Sequence, residues 1–155
     1  MAKLKYSPSL NDILMAGNGN SLFGAWYNVR EQNRYEIVKF SASKVEQSSS
    51  YRELLVLHSC VKHEKEHFRG KNIVFYTDSQ VLYFWFTNGL TIHNVALKLI
   101  DIFNWTLSNN MILEVVWRLR SDQLIELANT SSSLNGIMDS IINSLKFEME
   151  HEEMF

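Results

Sequence analysis

The sequence predicts a single mixed α/β domain in which a five-stranded sheet carries helices on its faces. Three observations support that prediction. The first 40 residues alternate β-favouring runs with polar turns. From Ser48 onward, apolar residues recur at helical spacing. Between two helical stretches lies Ile73-Val74-Phe75-Tyr76, apolar at every position as a buried central strand is.

The elements follow in order. Asp12 to Ala16 is a short apolar strand, and the Gly17-Asn18-Gly19-Asn20 cluster reads as the turn that ends it. Leu22 to Val29, dense in aromatics, is the second strand. Glu31-Gln32-Asn33-Arg34 then reverses the chain into Tyr35 to Phe40, which makes an antiparallel hairpin. Ser48-Ser49-Ser50 offers a helix N-cap, with Glu53 at capping-box spacing from Ser50. Leu54, Leu57, His58 and Val61 form the apolar face of that helix. Lys62 to Glu66 carry charge to its exposed end, and Gly70 closes the segment.

After the Ile73 to Tyr76 strand, a helix starts at Ser79, runs close to Phe86 and stops at Asn88-Gly89. A longer helix spans Ile92 to Leu107, with Val95, Leu99, Ile102 and Phe103 on one side. Ile112 to Trp117 is the last strand and Asp122 to Ala128 a short helix, after which Ser131 to Ser133 break the pattern. Leu134 to Leu145 is a further helix ahead of an acidic end that begins at Glu148. Residues 1–133 thus form the domain, and 134–155 its helical extension or tail. A meander followed by alternating strands and helices argues for a mixed sheet. Right-handed crossovers set the fourth and fifth strands beside the first, with parallel neighbours.

Composition narrows the function. A chain of 155 residues, 46% apolar and 21% charged, is a folded domain rather than a disordered tail. Its net charge of −2 argues mildly against a stand-alone nucleic-acid binder. A local patch or a neighbouring domain can still supply a positive field. The lone Cys60 has no internal disulfide partner, which points to a reducing, intracellular setting and an inert buried thiol. No apolar run approaches the roughly 20 residues of a membrane helix. The Met-Ala-Lys-Leu-Lys start lacks the apolar stretch of a secretory signal.

Functional groups of such sheets gather at strand ends and helix starts. Asp78 ends the buried strand, and Glu53 lies in the first turn of a helix packed on the sheet. Asn18 follows the first strand, and Asn129 follows the short helix after the last. These four positions can meet at one edge. Converging carboxylates repel unless cations neutralise them, and an all-oxygen ligand set suits Mg²⁺ or Mn²⁺. Two such ions roughly 3.5–4 Å apart can activate water and stabilise the leaving oxygen of a phosphodiester. Plainer roles stand beside this one: Glu53 as a capping-box residue and Asp78 as the N-cap of the next helix.

The runs Ser-Ser-Tyr-Arg-Glu-Leu-Leu-Val-Leu, Ile-Val-Phe-Tyr-Thr-Asp-Ser-Gln-Val-Leu and Leu-Glu-Val-Val-Trp-Arg-Leu-Arg, in that order, resemble the ribonuclease H domain of retroelement reverse transcriptases. The likeness is to LTR-type and tyrosine-recombinase elements, and it covers Ile13 to Ser132. It implies a ribonuclease H-like fold with a five-stranded mixed sheet, and four acids that hold two Mg²⁺ or Mn²⁺ ions. It also implies cleavage of the RNA strand of RNA–DNA hybrids, with a reverse transcriptase domain as neighbour in the parent polyprotein. The cytoplasm, the nucleus or a retroelement particle would be the setting.

The family's second and third acids match Glu53 and Asp78. The first acid has no counterpart ahead of Gly24-Ala25. Asn18 is the best match, and Gly17 fits if the turn is one residue longer. The fourth falls on Asn129, in Ala128-Asn129-Thr130-Ser131. An amide keeps an oxygen acceptor and loses the charge. The resemblance therefore implies a chain that binds metal weakly and cleaves slowly or not at all. The alternative is a naturally non-catalytic module that binds nucleic acid or scaffolds a partner.

Other residues have two readings. Trp26, Tyr27, Trp85 and Phe86 could stack bases, although aromatics at strand or helix spacing are more often core. Arg118 and Arg120 could reach phosphates or stay solvated. His63 and His67 have the i, i+4 spacing of a metal pair, yet their charged neighbours favour a solvated face.

Overall fold

The computed structural model of the protein describes residues 11–19, 23–31, 33–40, 48–88 and 93–117. Five strands and three helices lie within them. The strands are β1 (Ile13–Gly19), β2 (Phe23–Asn28), β3 (Tyr35–Lys39), β4 (Asn72–Thr77) and β5 (Ile112–Trp117). The helices are α1 (Ser49–Glu64), α2 (Gln80–Asn88) and α3 (His93–Ser108). The helices expected over 122–128 and 134–145 lie outside the described residues.

The sheet order is β3-β2-β1-β4-β5. β1, β2 and β3 pair antiparallel, as the meander predicts. β4 pairs parallel with β1, and β5 parallel with β4. The expected mixed five-stranded sheet is therefore present, with the fourth and fifth strands beside the first.

One local expectation fails. β1 does not turn after Ala16 but continues through Gly17 and Asn18 to Gly19, because β2 keeps pairing with it as far as Gly19 opposite Gly24. Pairing along β2 overrides the local preference of a Gly-Asn-Gly run for a turn. Gly17 is tolerated in the strand because other side chains approach its backbone closely.

β4 is buried from Ile73 to Thr77. Met15, Trp26 and Phe75 face one core with Leu54 and Leu57 of α1, Leu82 of α2 and Ile102 of α3. Residues of the other parity, Leu14, Ala16, Tyr27, Val74 and Tyr76, are equally buried. Each fully buried large side chain contributes roughly 1.5–3 kcal/mol, so the sheet centre dominates stability. Trp26 and Tyr27 are core residues, and Trp85 and Phe86 pack partly against the core. Phe103, expected to face inward with Val95, Leu99 and Ile102, is 39% exposed and stacks its ring 5.4 Å from that of Phe86. Cys60 is a buried free thiol, and burial pushes its pKa well above the ordinary value.

The end of α1 also departs from the sequence reading. Glu64, expected on a charged exposed end, is fully buried and held by Arg34. The chain then turns through Gly70, whose φ of 70° suits a residue without a side chain, and enters β4.

Candidate metal and nucleic-acid site

Glu53 is carried by α1 and Asp78 by the step from β4 into α2. The N-cap of α1 is Ser48, whose Oγ accepts from the Tyr51 N–H at 3.2 Å. Tyr51 thus occupies the position a capping-box acid would take, and Glu53 lies beyond it. The capping role expected from the Ser50 to Glu53 spacing is not the one this helix uses. Three successive serines left that register open, and the first of them caps.

Asp78 is relieved in the same way. Ser79 Oγ accepts from the Leu82 N–H at 3.1 Å and caps α2, while the Ser79 N–H donates to Thr77 Oγ1 at 3.0 Å. Both carboxylates are partly exposed. The N-cap oxygens of α1 and α2 come from Ser48 and Ser79 rather than from these two carboxylates.

The register fixes what lies beside them. Ala16 of β1 is level with Tyr76 of the parallel strand β4. Asn18 and Asp78 each stand two residues further along, at the same end of the sheet on strands about 4.8 Å apart. Asn18 pairs with Ala25 of β2.

Gly17 belongs to the face of β1 turned toward α1. A Cβ added there would overlap Phe75 Cζ, and would stand 3.2 Å from Phe75 Cε1 and 3.0 Å from Val56 Cγ1. Val56 is three residues after Glu53, on the same side of α1. A side chain at position 17 would thus meet both β4 and the Glu53 helix. Arg118, Arg120 and Asn129 lie outside the described residues.

Among the described residues, Glu53 and Asp78 are the two carboxylates at these positions. No three His, Cys, Asp or Glu side chains among the described residues gather closely enough to hold a metal ion. Two divalent cations carry four positive charges, which two carboxylates leave half neutralised. His63 and His67 are engaged elsewhere. The His63 ring stacks 5.2 Å from that of Trp26, and His67 Nε2 lies 3.1 Å from Glu31 Oε2.

Sequence reading missed a groove of about 490 Å³ beside the start of α1, lined by Tyr51, Asn94, Leu97, Lys98, Ile100 and Asp101. Asn94, Lys98 and Asp101 recur at helical spacing on α3, which was the available signal. On its edge, His58 Nε2 meets Asp101 Oδ2 at 2.9 Å.

Solved structures share this fold. LC11-RNase H1, solved in complex with an RNA/DNA hybrid, aligns over 72% of this chain and 86% of its own, with a TM-score of 0.56 and 10% identity. RNase H1 from the halophilic archaeon Halobacterium salinarum NRC-1 aligns over 83% of this chain and 98% of its own, with a TM-score of 0.51 and 11% identity. The chain has the ribonuclease H fold.

A third structure extends the likeness to a larger protein. The foamy viral protease-reverse transcriptase, in complex with double-stranded DNA, matches over 71% of this chain, with a TM-score of 0.50 and 13% identity. The match covers 20% of the viral chain, so this chain spans about a fifth of that protein's length. No protein-family model matches the sequence, and no curated protein matches it. No helix among the described residues is long and apolar enough to cross a membrane.

Proposed function

We propose that this chain is the ribonuclease H-type domain of a retroelement reverse transcriptase, that it engages RNA–DNA hybrid, and that it cleaves the RNA strand slowly or not at all. One observation carries the reading. Glu53 and Asp78 are both relieved of capping by neighbouring serines, in a ribonuclease H fold. Placed at a helix start and a strand end of that fold, they are the surviving half of a phosphodiester-cleaving site.

Where four acids are present, two divalent ions supply an activated water and a stabilised leaving oxygen. Here Asn18 or Gly17 and Asn129 stand in place of two acids, and the donor set falls short. Glu53 and Asp78 can still bind one ion weakly, or orient backbone phosphates through it. Arg118 and Arg120 are the proposed phosphate contacts. A polymerase domain in the parent polyprotein would supply the positive field that a chain of net charge −2 lacks. An intracellular setting, including a retroelement particle, follows from the same reading.

A second reading, a non-catalytic scaffold for a partner domain, is favoured by the apolar side chains that α3 exposes. Leu97, Ile100 and Leu107 are 51%, 52% and 80% exposed.

Two assays on the full chain test the proposal. Fluorescence anisotropy with a labelled RNA–DNA hybrid is expected to show binding that weakens steeply with salt. Incubation of the same hybrid with Mg²⁺ or Mn²⁺ is expected to leave most of the RNA intact. Rapid Mg²⁺-dependent cleavage would overturn the disabled site, and lack of hybrid binding at low salt would favour the scaffold.

A further inference from the structure

Position 17 meets the requirements of the missing first acid better than position 18. The face of β1 turned toward α1 is the face of Met15 and Gly17, and α1 is the helix that carries Glu53. Strand alternation gives Asn18 the other parity. The space a side chain at 17 would need is filled. Phe75 Cζ occupies it, with Val56 Cγ1 closing the helix side at 3.0 Å. Phe75 is 1% exposed and Val56 fully buried, so neither can swing into solvent to make room.

We propose that Gly17, not Asn18, stands at the first acid position, and that the Phe75 ring fills the volume of the lost carboxylate. Gly17 and Phe75 then form one packing unit. This rests on the ribonuclease H-type reading above, and it adds that the site is closed sterically as well as short of charge. An acid at position 17 alone meets the ring. Opening the site takes two changes, Gly17→Asp together with a smaller residue at 75. An acid at position 18 would stand level with Asp78, but on the face of β1 opposite the one that meets the Glu53 helix.

The test uses two readouts on the full chain. The first is steric and carries no charge: Gly17→Ala, Phe75→Leu and the double variant are compared by thermal unfolding. Gly17→Ala is expected to lower Tm by roughly 5 °C through overpacking, and to cost much less in the Phe75→Leu background. Equal effects of Gly17→Ala in both backgrounds would overturn the shared volume.

The second readout is Mn²⁺ titration by calorimetry. Gly17→Asp/Phe75→Leu is expected to bind Mn²⁺ at least about tenfold more tightly than the parent, with Asn18→Asp giving no comparable gain. A gain from Asn18→Asp and none from the double variant would overturn the assignment to position 17. Hybrid binding enters neither readout, so a failure of the functional reading is seen separately in the anisotropy assay.

Discussion

Arg34, at the start of the β3 hairpin arm, clamps the carboxylate of Glu64 at the far end of α1. Its Nε donates to both oxygens of Glu64, at 2.9 and 3.1 Å, and its Nη2 also donates to Oε2. The Glu64 side chain is fully buried and that of Arg34 one-third exposed. The hydrogen bond to Glu64 is the main cause that raises the Arg34 pKa. The pair ties the open edge of the sheet to the helix that carries Glu53.

Breaking that pair from one side strands a buried charge. Arg34→Met is expected to cost on the order of 3 kcal/mol, measured by urea unfolding. Arg34→Met/Glu64→Leu is expected to recover part of that loss, because no uncompensated charge is left buried. A single variant that costs no more than an ordinary surface change, below about 0.5 kcal/mol, would show that the pair is not clamped in solution.

Residue pairs of this kind mark where sequence reading stops. β4 was legible because an unbroken apolar run has few alternatives, and the strand order followed from β4 and the meander together. The Gly17 to Asn20 turn was misread because pairing with β2 is non-local. Glu64 was misread because its partner is 30 residues away and nothing in the Lys-His-Glu-Lys-Glu run distinguishes it. Glu53 and Asp78 were legible as positions, at a helix start and a strand end. Their separation from capping was not, since it depends on which serine hydroxyl reaches which N–H. The crowding at Gly17 had no sequence signal beyond a glycine inside a strand.

Caps and site acids should separate in mutants. Ser48→Ala and Ser79→Ala each remove an accepted N–H bond, and each is expected to lower stability by about 1 kcal/mol. Glu53→Gln and Asp78→Asn keep shape and remove charge, and Asp78→Asn is expected to leave unfolding within about 0.5 kcal/mol of the parent. The same two variants should weaken any Mn²⁺ binding seen by calorimetry. If Glu53→Gln destabilised the fold as much as Ser48→Ala, its role would be structural.

His58 gives the fold a pH dependence whose sign follows from its surroundings. Burial lowers its pKa below the ordinary 6.5, the hydrogen bond to Asp101 pulls it back up in part, and Lys98 and Lys62 push it down further. Its ring also packs 4.8 Å from that of Trp105, whose ring centroid lies 5.4 Å from the Lys65 ammonium. With the folded pKa below the unfolded one, the unfolded chain binds the proton first. The stabilising contribution of neutral His58 is therefore complete above about pH 6.5, and is lost as pH falls from there through the lower folded value. Tm is expected to drop by a few degrees between pH 7.5 and pH 5. His58→Gln, which cannot take up a proton, should flatten that part of the curve while His63 and His67 are left in place. An unchanged slope in His58→Gln would assign the pH dependence to other groups. A slope of opposite sign, with Tm rising toward pH 5, would mean that the Asp101 carboxylate outweighs burial and that the protonated pair is the stable form.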